Sequence, residues 1–518
     1  MKKLPIGIQT FSKLINENCV YIDKTALIYQ LITEGSYYFL SRPRRFGKSL
    51  LISTLEDLFS GNRELFEGLA INSLPYTWEK HPVIMISFSD IAGNTPQELE
   101  SGIKVYLQRI AQHYNLILDN DISMGQMLRD LVIALSTQNA VVLLIDEYDY
   151  SILKHIHNQE IASSIRDVLR GFYDVIKGLD QYLKFVLLTG VSQFTKTSIF
   201  SGLNNLEDIS LSERYNTLLG YTRDEIALHF NEHLHAMSEK TEKSTEYLLS
   251  NITQWYDGYR FSKTPHATAM YNPFSVLLCL KNNEFSNYWF QSGTPTFLIN
   301  LLKTKNYPIQ ELDNVKALEE ELKQFDTDNL ELKTLMFQTG YITIKHYDPE
   351  SHIYTLGYPN KETINSLGIL VIKSMTGASQ AHFYNSTTML LKAFNHHNLD
   401  QLSIILTQLF AEIPYTIQIE EEKYYQTIFY VLCKMIGADI IVEQPTNIGR
   451  IDAVLETKDC YFIIEFKINA TVKKAMKQIE YKKYYQPYQL RGKKIMLVGI
   501  VFDTTIKNVS GVDYKVLE

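Results

Sequence analysis

Three residues near the C-terminal end have the types and spacing needed for metal-assisted hydrolysis. Asp452 lies in the segment GRIDAVL, and Glu465 and Lys467 follow in FIIEFK. Glu465 and Lys467 are two residues apart on a predicted strand, so both side chains point to the same face. Carboxylate oxygens suit Mg²⁺, and a lysine can orient or help to deprotonate a water molecule. We therefore predict that Asp452 and Glu465 are metal ligands and that all three residues are catalytic.

A turn near the N-terminal end matches part of a phosphate-binding loop. Residues 42–49 read RPRRFGKS, in which Gly47, Lys48 and Ser49 fit the second half of G-x-x-x-x-G-K-[ST]. In that pattern the glycine lets backbone N–H groups face phosphate, the lysine reaches the phosphates and the serine ligates Mg²⁺. The first glycine is missing, since Arg42 stands in its place. Three arginines beside the turn would still favour an anion: Arg42, Arg44 and Arg45.

Two acidic residues follow the apolar run VVLLI, where such a site holds its ion. Asp146 ends this predicted strand and is a candidate Mg²⁺ ligand, and Glu147 is in position to polarise an attacking water. The next predicted strand ends in LLTGVSQ, where Thr189 or Ser192 could sense the terminal phosphate. Together with the phosphate loop, these residues predict an ATP site that includes Arg44, Arg45 and Thr189.

Each pattern also has a plain structural explanation. A three-residue match to GKS can be a surface helix start, and an acidic pair after a strand can be solvated. An E-x-K pair on a strand can be a surface ion pair that contributes little. The coincidence of several elements, each at the C-terminal end of a predicted strand, favours the functional interpretation.

A basic segment surrounds the C-terminal candidate site in an otherwise acidic protein. The net charge is −8, but residues 465–494 contain nine Lys or Arg against two Glu. Four tyrosines interleave with them: Tyr481, Tyr484, Tyr485 and Tyr488. Because basic side chains neutralise phosphates and tyrosines stack on bases, this face is the predicted contact with nucleic acid, for which we expect DNA. The alternative is a solvated, charged helix face.

Alternating strands and helices predict the fold of residues 1–235. Four apolar segments have the length and composition of buried strands: 36–40, 81–88, 140–145 and 184–188. Helical stretches lie between them. This alternation predicts an α/β domain with a doubly wound parallel sheet of the P-loop NTPase type.

Two further regions are predicted after this domain. Residues 236–410 are mainly helical, with a strand pair within 341–356 that fits a winged helix. Residues 411–518 read as a small α/β domain, in which a helix at about 421–436 precedes three strands and a basic helix at about 472–485 lies between them and a final strand. The predicted strands of this domain are 440–443, 450–455, 461–466 and 494–501.

Composition places the chain among ordinary globular proteins. It has 518 residues, 45% hydrophobic and 21% charged, which allows about three domains. Four cysteines are scattered without a CxxC pair, so we expect a reducing, cytoplasmic location. No apolar stretch approaches the ~18 residues of a membrane span, and the N-terminal segment does not read as a secretory signal. We therefore expect no membrane partner.

The sequence also resembles a known family, the bacterial AAA-ATPase-like proteins. The resemblance lies in VYIDKTALIYQLI, FLSRPRRFGKSLLISTLEDLF, LLIDEYD and LLTGVSQFTKTSIFSGLNNLEDISL, and it includes WYDGYRF at 255–261, NPFS at 272–275 and FQTGYITI at 337–344. RPRRFGKS is the family's form of the phosphate loop, so Arg42 is expected there. The aromatic residues of WYDGYRF are expected to pack in the core.

These proteins usually carry a PD-(D/E)xK nuclease domain at the C-terminus. The three C-terminal residues described first resemble the core of that superfamily, with Ile451 in place of its proline. The resemblance implies a restriction-endonuclease-like α/β fold for the last region. It also implies a catalytic role for Glu422, with Glu421 as the alternative, and for Gln478 on the following helix, with Tyr484 farther along.

The predicted function follows from both sites. We expect a protein that binds and hydrolyses ATP and that uses Mg²⁺ in a nuclease-like domain, with the ATP state gating phosphodiester cleavage. Two alternatives stay open: an ATP-dependent signalling switch whose C-terminal domain binds without cleaving, and a motor ATPase that translocates DNA. A homo-oligomer is compatible with each of them.

Overall fold

The chain forms two compact units in a computed structural model. The structure describes all residues except 92, 194–198, 201–202, 265–266, 292–311, 324–330, 377–379, 414–420 and 518. The first unit comprises Met1–Gly293 with Asn314–Asn360, and the second comprises Thr294–Asp313 with Lys361–Glu518. The division into three regions at 235 and 410 stays a prediction.

A parallel five-stranded sheet organises the first unit. Its strands are β1 Tyr37–Ser41, β2 Val83–Ser87, β3 Val141–Asp146, β4 Leu183–Gly190 and β5 Glu207–Asp208. Their order is β2-β3-β4-β1-β5, and every pair is parallel. The predicted parallel α/β sheet is confirmed. β5 was not predicted because two residues carry no readable periodicity.

The sheet order brings the ends of three strands together. β4 pairs with both β1 and β3, so the phosphate loop after β1 and the acidic pair at the end of β3 flank the end of β4. The accompanying helices are α1 Phe11–Asn16, α2 Thr25–Glu34, α3 Lys48–Phe59, α4 Pro96–His113, α5 Met124–Ser136, α6 Tyr150–Lys154 and α7 Gln159–Tyr173. α3 buries Leu51, Leu55 and Leu58 in the core of the sheet, which fixes the direction of the phosphate loop.

The rest of the first unit is mainly helical and carries a small antiparallel sheet. The helices are α8 Arg223–His229, α9 Asn231–Thr241, α10 Thr245–Tyr256, α11 Pro273–Asn282, α12 Tyr288–Gln291, α13 Glu319–Lys323 and α14 Leu332–Thr339. The predicted strand pair is observed as β7 Thr343–Asp348 and β8 Ile353–Gly357, and a third strand, β6 Val315–Leu318, pairs with β8. β6 is short and only partly buried, so its sequence lacks a clear strand pattern.

The second unit is built around a mixed sheet with the order β13-β12-β11-β10-β9. Its strands are β9 Asp439–Thr446, β10 Gly449–Glu456, β11 Cys460–Ile468, β12 Lys494–Asp503 and β13 Asn508–Leu517. Its helices are α15 Lys361–Thr376, α16 Gln380–Asn395, α17 Leu399–Ala411, α18 Glu422–Met435 and α19 Val472–Tyr481. Only β11 and β12 pair in parallel. The predicted order of helix, three strands, helix and strand is confirmed.

Two details of the second unit differ from the prediction. The basic helix ends at Tyr481 rather than near 485, since Lys483 has a left-handed backbone with φ 49°. The edge strand β13 was not predicted, because most of its residues are exposed or half-buried and its apolar alternation is weak.

Burial and hydropathy add two observations. Within the described ranges, no helix has both the length and the apolar character needed to cross a bilayer. All four cysteines, at positions 19, 279, 433 and 460, are free and buried.

Gly190, the last residue of β4, provides a test of this packing. A Cβ atom there would overlap the ring of Tyr148 and lie 2.7 Å from Oδ1 of Asp149. We expect Gly190→Ala to lower the free energy of unfolding by about 1–3 kcal/mol, because neither neighbour can retreat from the core. Urea denaturation measures the change. The matched control is Gly171→Ala in α7, where a Cβ meets no atom within 4 Å; equal losses in both variants would contradict the packing.

Candidate nucleotide and metal sites

The phosphate loop connects β1 to α3 and is open on one side. Gly47 is the N-cap of α3 and has φ 97°, a left-handed conformation that suits glycine. No atom lies within 4 Å of the position that a Cβ would occupy. Lys48 and Ser49 form the first turn of α3, where free N–H groups and the helix dipole favour an anion.

Lys48 is almost fully buried and donates to two neutral acceptors of the same loop. Its Nζ lies 2.8 Å from the carbonyl oxygen of Arg42 and 3.1 Å from that of Pro43. Burial lowers the pKa of Lys48, although nearby carboxylates, first Asp146 and then Glu147, oppose this effect. A buried ammonium with only carbonyl partners is well suited to an anionic ligand.

Asp146 and Thr189 form the acidic side of this site. Thr189 Oγ1 donates to Asp146 Oδ1 at 2.5 Å, and the amide of Glu147 donates to the same oxygen at 3.0 Å. Glu147 is half-buried with φ 53°, and burial raises its pKa, assisted by the charge of Asp146. The lysine is therefore suited to bind the phosphates of a nucleoside triphosphate, and the serine hydroxyl and the carboxylate are suited to ligate its Mg²⁺.

Asp149 is a member of this site that sequence reasoning missed. It is 1% exposed and accepts from the amide of Ser192 at 2.6 Å, the amide of Val191 at 3.1 Å and the hydroxyl of Ser192. Burial raises the pKa of Asp149. Ser192 therefore serves as a donor to Asp149, whereas Thr189 contacts Asp146. The second aspartate of LLIDEYD was the available signal.

Arg42 has a different role from the one predicted. Its guanidinium is buried and donates to the carbonyl oxygens of Ser210 at 2.6 Å, Ser41 at 2.9 Å and Tyr215 at 3.4 Å. Its Cζ lies 4.1 Å from the ring centroid of Phe261. The expectation that Arg42 helps to attract an anion is wrong, because its side chain turns into the core. Arg42 instead fastens the start of the loop.

The aromatic motif WYDGYRF packs against the phosphate loop. Phe46 makes edge contacts with Tyr259 and Phe261 at centroid distances of 4.9 and 5.3 Å, and these residues form one buried cluster with Met270. The prediction that these aromatic residues pack in the core is confirmed. Their position also explains why the loop needs phenylalanine immediately before Gly47.

Two other motifs contact the same loop. NPFS begins α11, where Asn272 accepts from the amides of Phe274 and Ser275, and Arg45 lies 4.8 Å from the Phe274 ring. FQTG ends at Gly340, where a Cβ would lie 2.7 Å from Pro43. Trp289 Nε1 donates to the carbonyl of Arg44 at 3.1 Å. The predicted nucleotide contacts of Arg44 and Arg45 remain predictions.

Asp452, Glu465 and Lys467 lie together in the second unit. Strands β10 and β11 are antiparallel, and Ala453 on β10 pairs with Ile464 on β11. Asp452, which precedes Ala453, therefore lies opposite Glu465, which follows Ile464. Asp452 Oδ2 accepts from the amide of Phe466 at 2.8 Å. Lys467 Nζ donates to Glu465 Oε1 at 2.6 Å and to the carbonyl of Phe466 at 2.8 Å.

The environment of the Glu465 carboxylate fits a bound metal ion. The residue is fully buried, and its Oε2 has no hydrogen-bond partner among the residues that the structure describes. Burial, together with the charge of Asp452, raises the pKa of Glu465 to about 7, although Lys467 opposes the shift. In the described part of the chain, no group of three or more His, Cys, Asp or Glu side chains can hold a metal. An ion here would bind two carboxylates and complete its shell with water, as Mg²⁺ commonly does.

The supporting residues differ in how close they lie to these carboxylates. Glu422 is the first residue of α18, and it interacts electrostatically with Asp452, Glu465 and Lys467. Burial raises the pKa of Glu422. The alternative, Glu421, is the exposed N-cap of α18. Gln478 is half-buried on α19 and lines a shallow surface pocket with three lysines, Lys474, Lys477 and Lys482. The catalytic roles of Glu422 and Gln478 remain predictions.

Replacing Arg42 tests whether the loop depends on it. Arg42→Gly restores the usual glycine of the motif, yet we expect it to lower the free energy of unfolding by about 2–4 kcal/mol, because buried carbonyls lose their donor. The affinity of Arg42→Gly for ATP should fall as well, and titration with a fluorescent ATP analogue measures this affinity. The contrasting variant Lys48→Ala should lose ATP affinity with a smaller loss of stability, because burial of its ammonium is costly. Tighter ATP binding by Arg42→Gly would refute the anchoring role.

The raised pKa of Glu465 predicts a pH dependence of stability in the metal-free protein. Between the unfolded value near 4.5 and the folded value of about 7, only the unfolded chain releases the proton, so the free energy of unfolding falls as pH rises. We expect Glu465→Gln to remove this loss, which is on the order of 3 kcal/mol at pH 8. Mg²⁺ should stabilise the natural protein at pH 8 and hardly at pH 5.

Urea denaturation at pH 5 and pH 8, with and without Mg²⁺, measures these differences. The control is Glu456→Gln at the far end of β10. The pKa of Glu456 is lowered through its hydrogen bond with Lys493, so this variant should gain no stability at pH 8. A Glu465→Gln protein with the pH profile of the natural protein would contradict the assignment.

Comparisons with known proteins match the two regions of the chain that contain the candidate sites. Residues 5–200 match a family model described as a predicted AAA-ATPase, and residues 420–510 match the PD-(D/E)XK nuclease superfamily. The chain is 37% identical over 525 residues to a protein of Azotobacter chroococcum mcd 1, "Uncharacterized protein in vnfD 5'region", and the match covers 98% of each.

A solved structure also matches, though only loosely. The Orc1 protein of Aeropyrum pernix in complex with DNA has 11% sequence identity and a TM-score of 0.24, covering 67% of this chain and 93% of that one. The two family models and the Azotobacter relative show that the chain belongs to the AAA-ATPase-like family and that it carries a C-terminal domain of the PD-(D/E)XK nuclease superfamily.

Proposed function

We propose that this protein binds and hydrolyses ATP in its first unit and cleaves nucleic acid with Mg²⁺ in its second unit. The observation that carries the nuclease half is the buried Glu465, with one oxygen on Lys467 and the other without a partner. A carboxylate in this state is costly unless a cation joins it. The ATPase half rests on Lys48, which is buried beside Asp146 and bonded only to carbonyls.

The residues of the nucleotide site have distinct roles in this proposal. Lys48 binds the terminal phosphates, and Ser49 with Asp146 holds the Mg²⁺ that accompanies ATP. Glu147 accepts a proton from the attacking water, which its half-buried position and raised pKa favour. Thr189 senses the terminal phosphate, and its hydrogen bond to Asp146 couples the two residues.

In the nuclease site, Asp452 and Glu465 would hold Mg²⁺, which when bound would supply stabilisation of charge on the scissile phosphate and a water of lowered pKa. Lys467 orients the attacking water, because its ammonium is held between Glu465 and the Phe466 carbonyl. Glu422 contributes negative charge next to the ion, and Gln478 contacts the substrate. Asp452, Glu465 and Lys467 lie on β10 and β11, whereas Glu422 lies on α18 and Gln478 on α19.

The exposed surface of α19 is the proposed contact with nucleic acid, which we take to be DNA. Lys474 and Lys477 are exposed on this helix, Lys482 follows it, and Tyr481 is 83% exposed. Lysines beside an exposed aromatic ring can bind phosphates and stack on a base. The free, buried cysteines support a location in the reducing cytoplasm.

The proposal also includes control of nucleic-acid cleavage by ATP binding. The chain passes between the two units three times, after positions 293, 313 and 360. A rearrangement of the first unit on ATP binding would act on the second through three covalent connections. Self-association on ATP binding would add a second route of control.

The test is Mg²⁺-dependent cleavage of labelled DNA and RNA by the full-length protein, with and without ATP. We expect Lys467→Ala to reduce cleavage by about 10²–10⁴-fold, because the water loses its orienting group. Lys48→Ala should retain cleavage and lose its response to ATP. Unchanged cleavage by Lys467→Ala would remove the mechanism, and an ATP response in Lys48→Ala would remove the gating.

A signalling switch is the second candidate function. The described residues offer only two facing carboxylates and no group of three metal-ligating side chains, which favours a nuclease fold that binds without cleaving. ATP-dependent oligomerisation, measured by light scattering, together with nucleic-acid binding and no cleavage would support this alternative.

A further inference from the structure

Arg450 lies at the open side of the metal site. It is two residues before Asp452 on β10, so both side chains project to the same side of the strand. Ile451 between them is fully buried, whereas the Arg450 side chain is 60% exposed. The Arg450 guanidinium is near enough to Asp452 to act electrostatically on its carboxyl. A cation therefore stands in solvent next to the candidate metal ligands.

Glu443 on β9 holds this arginine. The register of β9 and β10 pairs Gln444 with Ile451 and Val442 with Ala453, which leaves Glu443 opposite Asp452. Glu443 has φ 55°, a left-handed conformation that a glutamate rarely adopts. Its side chain is 18% exposed and forms an ion pair with Arg450.

An ordinary surface ion pair would not require this geometry. Exposed pairs contribute little to stability, and a strained backbone at a glutamate is more typical of a functional site. Glu443 also acts electrostatically on Glu422. The two facing carboxylates of Asp452 and Glu465 therefore have the negative charges of Glu422 and Glu443 in their surroundings. This negative charge repels a polyanion unless a cation stands at the opening.

Arg450 also adjoins the basic surface of α19. Lys482 Nζ donates to the carbonyl oxygen of Ile448 at 2.9 Å, and a Cβ on Gly449 would lie 2.9 Å from the hydroxyl of Tyr484. The end of α19 is therefore fastened to the turn that precedes Arg450. A nucleic-acid strand that follows the lysines of α19 would reach Arg450 before it reaches the carboxylates.

We propose that Arg450 binds a backbone phosphate of the nucleic-acid substrate at the opening of the metal site, and that Glu443 competes with this phosphate for the guanidinium. The planar fork of an arginine suits a phosphodiester and a carboxylate equally well. Glu443 keeps Arg450 positioned in the free protein and releases it when a phosphate arrives. This inference rests on the proposed nuclease function.

The experiment measures binding separately from cleavage. Fluorescence anisotropy follows the binding of labelled single-stranded and duplex DNA to the full-length protein in EDTA, over a range of salt concentrations. We expect Arg450→Ala to weaken binding about tenfold and to make the slope of log K against log salt shallower by about 1. Arg450→Lys should recover part of the affinity. Lys458→Ala, in the exposed turn at the other end of β10, is the matched control and should bind like the natural protein.

Glu443→Gln separates competition from a general charge effect. The variant should bind DNA more tightly than the natural protein, and this gain should vanish in the Arg450→Ala background, as a double-mutant cycle measures. An equal gain in both backgrounds, or equal losses in Arg450→Ala and Lys458→Ala, would overturn the inference while DNA binding and the proposed function stand. If the natural protein binds no DNA in this assay and cleaves neither DNA nor RNA, both the inference and the proposed function are overturned.

Discussion

A guanidinium that is removed from water needs hydrogen-bond acceptors from the protein, and this need organises the N-terminal site. Arg42 replaces the usual first glycine of a phosphate loop and donates to carbonyls of residues 41, 210 and 215 while lying over Phe261. Burial lowers the pKa of Arg42 to about 9, so the group stays charged near neutral pH. The loop consequently starts from a rigid anchor rather than from a flexible glycine.

The same loop is held at its other positions by segments that follow far along the chain. Phe46 packs into the aromatic cluster of WYDGYRF, Arg45 lies over the ring of NPFS, and Pro43 abuts the glycine of FQTG. The side of Gly47 where a Cβ would stand stays open. The three motifs therefore act as one support for the loop, and a change in the loop on ligand binding has to be accommodated by that support.

The two candidate sites use a lysine in opposite ways. Lys48 donates to neutral carbonyls, and burial lowers its pKa, so the site is completed by an anion. Lys467 donates to Glu465, and its pKa is raised because the carboxylates outweigh burial. The remaining oxygen of Glu465 then calls for a cation. One unit is thus built to accept negative charge and the other to accept a metal ion.

Local patterns in the sequence determined the parallel sheet, the turn at Gly47 and the shared face of Glu465 and Lys467, because each depends on residues only a few positions apart. The tertiary structure alone decided the role of Arg42, the bonds of Asp149 to residues 191 and 192, and the position of Glu443 opposite Asp452. These contacts depend on strand order, on register and on a left-handed residue within a strand. No periodicity along the chain encodes them, since their partners meet only after the sheets have formed.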